Sequence, residues 1–266
     1  MTKKVAVRLV IALSITVILL GIWIEPVKRQ LSRSATVRGI AQGLSEDVAT
    51  FRTIRYKNRS QNQFDEYIKT HPVRKLQIGA GDSRLEGWLN TDIIEEPGLT
   101  YLDAIQPFPL PDHSFNYIFS EHVIEHFSYE DGRKMLHEAA RILVAGGKIR
   151  IATPNLLQFV RLFQNPKTVE VANYIPGKLA WHQWPKNPSA EAFILNLQLS
   201  QFGHKFVYDP ETLKFALSES GFTSIKEVRP IESDDPELRG IERREGFEIK
   251  QLNEYETMIF EASKPE

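Results

Sequence analysis

The chain has no cysteine. That excludes disulfides, thiolate catalysis and zinc–thiolate sites. It has no internal repeat and no low-complexity tract. It also has almost no net charge, −1 over 266 residues, but the charge is unevenly spread. Residues 25–75 hold 11 Lys/Arg against 5 Asp/Glu, and residues 1–24 add three cations, so residues 76–266 carry −10. A phosphate backbone calls for a basic surface, so nucleic acid is not the expected partner of the acidic part. At 42% hydrophobic and 25% charged, the composition is that of an ordinary folded protein.

An apolar run lies at the N-terminus. Leu9–Ile24 has no charge, and Val5–Ile24 is interrupted only by Arg8. A bilayer core takes roughly 20 helical residues. The run ends Ile22-Trp23-Ile24-Glu25-Pro26, without a small-x-small cleavage pattern. Residues 1–24 are therefore expected to be an uncleaved, single-pass membrane anchor with Trp23 at the interface. Lys28, Arg29, Arg33 and Arg38 follow it, which favours a cytoplasmic globular part. Residues 25–70 are expected to form a basic helical stalk, and 71–266 the globular domain.

From Lys75 apolar strands alternate with helical stretches, which predicts a mostly parallel sheet. The strands expected are Lys75–Ile78, Trp88–Asp92, Thr100–Leu102, Phe115–Phe119 and Lys148–Ala152. A helix is expected over Tyr129–Val144, stopped by Gly146-Gly147. A second is expected over Asp209–Ser220, with Pro210 in its first turn. Phe222–Val228 and Thr257–Ala262 are expected to pair antiparallel at a sheet edge. Residues 156–206 read as an insertion rich in aromatics, among them Phe159, Phe163, Tyr174, Trp181, His182, Trp184, Phe193 and Phe202. It would form a satellite core or line an acceptor pocket.

The chemistry gathers at Leu76-Gln77-Ile78-Gly79-Ala80-Gly81-Asp82, an apolar strand running into a two-glycine turn. Asp92 and Asp103 each end a later apolar run. Glycines let a ligand approach the backbone, and a carboxylate at a strand end can hold ribose hydroxyls. Only 11 residues separate Gly81 from Asp92. A dinucleotide fingerprint needs a full helix there and an acid about 20 positions on. Arg84 also stands where its third glycine belongs. The pattern suits a nucleoside without a pyrophosphate.

These residues resemble the class I S-adenosylmethionine-dependent methyltransferases, over roughly Lys75 to Lys264. The resemblance rests on the glycine loop, Asp92, the Asp103–Ile118 segment, Ser120-Glu121-His122-Val123-Ile124-Glu125-His126, and Arg141–Gly147 with Thr153-Pro154-Asn155. It implies an α/β, Rossmann-like fold with a seven-strand, mostly parallel sheet and an antiparallel edge hairpin. It implies S-adenosylmethionine as cofactor. Gln77, Gly79, Ala80 and Gly81 would meet its amino-acid part, Asp92 its ribose and Asp103 its adenine. Ser120 would line the methyl site. His126 and His204 are the candidate general bases for transfer to a small-molecule or glycan hydroxyl, such as a lipid-linked sugar. The family usually has an acid at Gln77 and a glycine at Ser83.

Other readings of the same residues stand beside this one. The departures at Gln77 and Ser83 fit a binding or scaffold protein on the same fold. A nicotinamide-dependent oxidoreductase is a further alternative, disfavoured by the short path to Asp92. His122-Val123-Ile124-Glu125-His126 also fits H-x-x-E-H, a zinc protease pattern that needs both histidines on one helical face.

Overall fold

The structure is a computed structural model. It describes residues 59–266 except 95, 165–168, 184–189, 243–251 and 253. Within 169–173 and at 181 it gives the backbone path alone. The expected membrane anchor at 1–24 and the stalk up to residue 58 lie outside the described residues. Among those described, no helix is long and apolar enough to cross a membrane.

A seven-stranded sheet carries the domain. Its strands are β1 (Lys75–Ile78), β2 (Leu89–Asp92), β3 (Thr100–Tyr101), β4 (Phe115–Glu121), β5 (Leu143–Pro154), β6 (Thr223–Val228) and β7 (Thr257–Ser263). Their order is β3-β2-β1-β4-β5-β7-β6. The first five run parallel, while β7 is antiparallel to both β5 and β6. This is the mostly parallel sheet with antiparallel edge strands that the pattern predicts. Lys75–Ile78 is β1 as expected, with a continuous buried run at Leu76, Gln77 and Ile78. Strands covered on both faces carry such runs.

The helix expected after β4 spans Tyr129–Ile142. Ser128 caps its start, accepting from the Asp131 amide at 3.1 Å. Its apolar positions Met135, Leu136, Ala139 and Ile142 are fully buried. The helix Pro210–Glu219 is capped in the same way by Asp209, which accepts from the Thr212 amide at 2.9 Å.

Two boundaries differ from the sequence reading. Gly146-Gly147 does not lie between helix and strand, because β5 already begins at Leu143. The glycines form a bulge inside β5, between the pairings Phe115–Leu143 and Tyr117–Lys148. Gly146 has φ +70°, and a Cβ on Gly147 would come within 2.9 Å of the Val144 carbonyl oxygen. Only glycines fit that bulge. The second difference is the domain's start. The compact unit runs from Asn58, and residues 59–70 are helical within it. Phe64 and Tyr67 of this helix join the main core. Burying an aromatic side chain of this size contributes roughly 1.5–3 kcal/mol, so the helix is part of the domain rather than of a stalk.

The insertion forms helices Leu156–Gln164, Val169–Trp181 and Ala190–Asn196, then a π turn, Leu197–Gln201. Phe159, Leu162, Tyr174, Ile194 and Leu252 make a separate core beneath it. The buried Glu256 carboxylate ties this core to the approach to β7. It accepts from Tyr174 at 2.6 Å and pairs with Lys178 at 2.8 Å.

Candidate functional site

The site is built at the C-terminal ends of β1, β2 and β4. Gly79 and Gly81 have φ of +67° and +49°. A Cβ at Gly79 would lie 2.2 Å from Cγ2 of Val123, whereas one at Gly81 would meet nothing within 4 Å. Gly79 is therefore needed for packing against the segment after β4. At Gly81 the backbone is open to a ligand.

The turn is held by its own hydrogen bonds. The Ala80 amide donates to the Thr91 carbonyl at 2.9 Å, and the Gly81 amide to Asp92 Oδ2 at 3.0 Å. Asp92 Oδ1 accepts from the Ile94 amide at 3.0 Å. The acid at the end of β2 is thus oriented by the turn it faces. The segment from Asp82 to Trp88 contains no helix, in keeping with the short path read from the sequence. The Leu102 amide donates to the Asp92 carbonyl, which sets the ends of β2 and β3 side by side. Asp103 follows, with Oδ1 accepting from the Ile105 amide at 3.2 Å.

Gln77 takes a different place from the one its position in the motif implies. It is buried, and its amide nitrogen donates to the Ser83 carbonyl at 2.8 Å. Its amide oxygen accepts from the Leu85 amide at 3.2 Å. The side chain closes the loop from inside, engaging the backbone at Ser83 itself. A neutral amide can both donate and accept here, which a carboxylate cannot.

Ser120, at the end of β4, is 1% exposed. Its hydroxyl oxygen has no hydrogen-bond partner among the described residues. An orphaned buried hydroxyl beside a glycine turn is a natural contact for a bound molecule.

Beyond Ser120 the chain turns sharply. His122 has φ +53°, a conformation rare outside glycine. Its amide donates to the Ala152 carbonyl, its Nε2 lies 3.2 Å from Thr257 Oγ1, and its Nδ1 lies 3.0 Å from Glu125 Oε1. Residues Ile124–His126 are a 3-10 turn. His122 and His126 therefore do not share an α-helical face, and the H-x-x-E-H protease reading fails on geometry.

Glu125 is 0% exposed. Burial pushes its carboxyl up, but the adjacent His122 imidazole, with the charge of His204, outweighs it and holds the group below the ordinary range. Its Oε2 accepts from Thr153 Oγ1 at 2.9 Å. Its backbone carbonyl accepts from the amides of Lys205 and Phe206, at 2.8 and 3.2 Å. Those bonds draw His204 to His126. The two rings meet edge to face, 4.9 Å between centroids. His204 Nδ1 lies 2.6 Å from the Gln198 carbonyl oxygen. A carbonyl only accepts, so Nδ1 carries the proton and Nε2 the lone pair. Burial pushes the imidazole's pKa down from 6.5, with the Glu125 charge opposing. Phe202, 39% exposed, stands 5.7 Å from His204 and 6.0 Å from His182, centroid to centroid.

The structure thus joins the turn, Asp92, Ser120, His126 and His204 through one continuous segment, Ser120–His126. Sequence reasoning took Val123 and Thr153 only as motif members, without these roles, and missed Gln198. Val123 and Thr153 act on partners from distant elements, at Gly79 and Glu125, and Gln198 acts through its backbone carbonyl, which its residue type does not mark.

The sequence model of the methyltransferase-domain family matches residues 90–151. None of the curated proteins matches the chain. Several solved structures are similar. An S-adenosylmethionine (SAM)-dependent methyltransferase from Archaeoglobus fulgidus is 21% identical, with 77% of this chain and 92% of that one covered and a TM-score of 0.43. A SAM-dependent methyltransferase from Thermotoga maritima, described as a possible histamine N-methyltransferase, is 18% identical over 83% and 95% of the two chains, at 0.42. A phosphoethanolamine N-methyltransferase from Haemonchus contortus, solved with S-adenosylmethionine, is 15% identical over 77% and 53%, at 0.37.

Proposed function

We propose that this chain is a class I S-adenosylmethionine-dependent methyltransferase that methylates a hydroxyl oxygen on a glycan or lipid-linked sugar. S-adenosylmethionine supplies an electrophilic methyl group on a sulfonium. The residues present fit it. The backbone of Gly79, Ala80 and Gly81 would meet its amino-acid part, Asp92 its ribose hydroxyls, Asp103 its adenine side, and Ser120 Oγ the methyl side.

One observation carries the choice of a hydroxyl acceptor: the neutral His204 imidazole, packed on His126 against a fully buried carboxylate. A hydroxyl must lose a proton on methylation, and the Nε2 lone pair is placed to take it. The exposed ring of Phe202 beside His204 suits the apolar face of a sugar. The apolar residues 1–24 supply the reason for a lipid-linked acceptor. They would anchor the enzyme in a membrane, with the domain on the cytoplasmic side. A C-terminal reporter active only outside the cytoplasm would reverse that orientation.

The test is incubation with labelled S-adenosylmethionine and a fractionated membrane extract, followed by identification of the labelled product. A methyl ether on a sugar supports the reading. Label on nitrogen or carbon only would overturn it.

A further inference from the structure

We propose that Glu125, His126 and His204 form a binding site for a divalent transition-metal ion on the acceptor side of this enzyme. One ligating atom from each lies within 4.8 Å of the other two. Two imidazole nitrogens and a carboxylate oxygen are a donor set suited to zinc and its first-row neighbours, and leave a position open for a substrate oxygen.

Two further observations point to a cation. Glu125 is fully buried, and its Oε1 has no hydrogen-bond partner among the described residues. Its ion-pair contact is His122 Nδ1, at 3.0 Å. A buried carboxylate is stable only when paired, hydrogen-bonded or bound to a metal. The prospective ligands are also braced from behind. His204 gives its Nδ1 proton to the Gln198 carbonyl, which leaves Nε2 for the ion, and Thr153 donates to Glu125 Oε2. Metal-binding histidines and carboxylates are oriented by bonds of this kind. In a tetrahedral zinc site, bonds of about 2.0–2.2 Å put ligand atoms roughly 3.4 Å apart. The separations between the three groups would therefore close by up to about 1.4 Å on loading.

The proposal rests on the reading of this face as the acceptor side; in the loaded site the cation replaces the free His204 base as the group that activates the hydroxyl. An acceptor oxygen bound to the cation releases its proton to solvent. The O–H bond breaks, its electron pair stays on oxygen, and no oxidant or reductant is required. The His204 lone pair is then held by the ion instead of by a proton.

The experiment strips the purified full-length protein with EDTA and titrates it with Zn2+ against a chromophoric chelator. One Zn2+ per chain is expected, with affinity at least tenfold weaker in His126→Ala and in His204→Gln. The exposed variant His137→Ala should bind as the parent does. Thermal unfolding checks that the variants fold. Co2+ loading of the unaltered protein, which depends on no variant, should give visible d–d bands of nitrogen and oxygen coordination. Zinc binding no tighter than in the double variant His126→Ala/His204→Gln, or a Co2+ spectrum matching the free ion, would overturn the site. Calorimetry with S-adenosylhomocysteine on the same metal-free sample separates the two ideas. Cofactor binding without zinc binding overturns the metal site alone. Zinc binding without cofactor binding supports the site and overturns the methyltransferase reading.

Discussion

The imidazoles of His126 and His204 pack edge to face, 4.9 Å apart at their centroids, although among the described residues a strand and four α-helices separate them along the chain. The contact is set by backbone, not by ring attraction. The amides of Lys205 and Phe206 donate to the Glu125 carbonyl and pin the two segments together. Edge-to-face ring pairs contribute only about 0.5–1.5 kcal/mol, so the pair follows from these backbone bonds.

Removing the lone pair of His204 should remove turnover. For His204→Ala we expect kcat to fall by about 10²–10⁴-fold, the usual range for a lost acid–base group. Affinity for S-adenosylhomocysteine should be retained in calorimetry. Near-parent kcat would place proton removal elsewhere.

The pH profile has a defined direction. Burial lowers the His204 pKa from 6.5, so the imidazole is neutral at pH 7. kcat/KM should be flat above about 6.5 and fall as the pH drops through the lowered value. Stability moves the same way. Below 6.5 the unfolded chain takes up this proton before the folded one does, so acid weakens the fold. An acidic limb centred above 6.5 would assign the titration to another group.

Asp92 should report on cofactor binding and on the turn together. Its two oxygens accept from the Gly81 and Ile94 amides. In Asp92→Ala, S-adenosylmethionine affinity should drop at least tenfold in calorimetry, and labelling of the product should be abolished. Loss of the two acceptors should cost about 1–2 kcal/mol in urea unfolding. Full activity in this variant would show that the ribose is held elsewhere.

Gly79 is the position where a single methyl group should do most harm. An added Cβ at φ +67° would fall 2.2 Å from Val123 Cγ2. Gly79→Ala should lower stability by roughly 1–3 kcal/mol, through strain and overpacking. Gly79→Ala/Val123→Ala should recover part of that loss in thermal unfolding, because the clashing methyls are gone. Equal melting temperatures for the single and double variants would show that strain alone is responsible.

On β5, Arg150 is fully buried and paired with Glu242 and Glu261. Arg150→Met strands those carboxylates. Urea unfolding should show a loss of about 3–5 kcal/mol, the range for breaking a buried pair from one side. A loss below 1 kcal/mol would mean that water or Lys226, 3.5 Å from Glu261, takes the place of Arg150.

The sequence by itself determined what short-range patterns encode. Continuous apolar runs fix β1 and β4, and capped 3.6-residue periodicity fixes the helices before β5 and β6. Eleven residues between Gly81 and Asp92 leave no room for a pyrophosphate-binding helix, and none is present. Composition and spacing could not show that residues 59–70 dock into the core, nor that Gly146-Gly147 bulge within a strand. Both depend on surfaces supplied by other elements. The same holds for Gln77. Its departure from the family pattern became intelligible only when both ends of its amide were found on the loop at Ser83 and Leu85. It also holds for His126 and His204. Each is an ordinary histidine in its own stretch of sequence. Tertiary structure alone decided that they share one site, because strand order and two backbone hydrogen bonds bring their segments together, and neither is encoded near either residue.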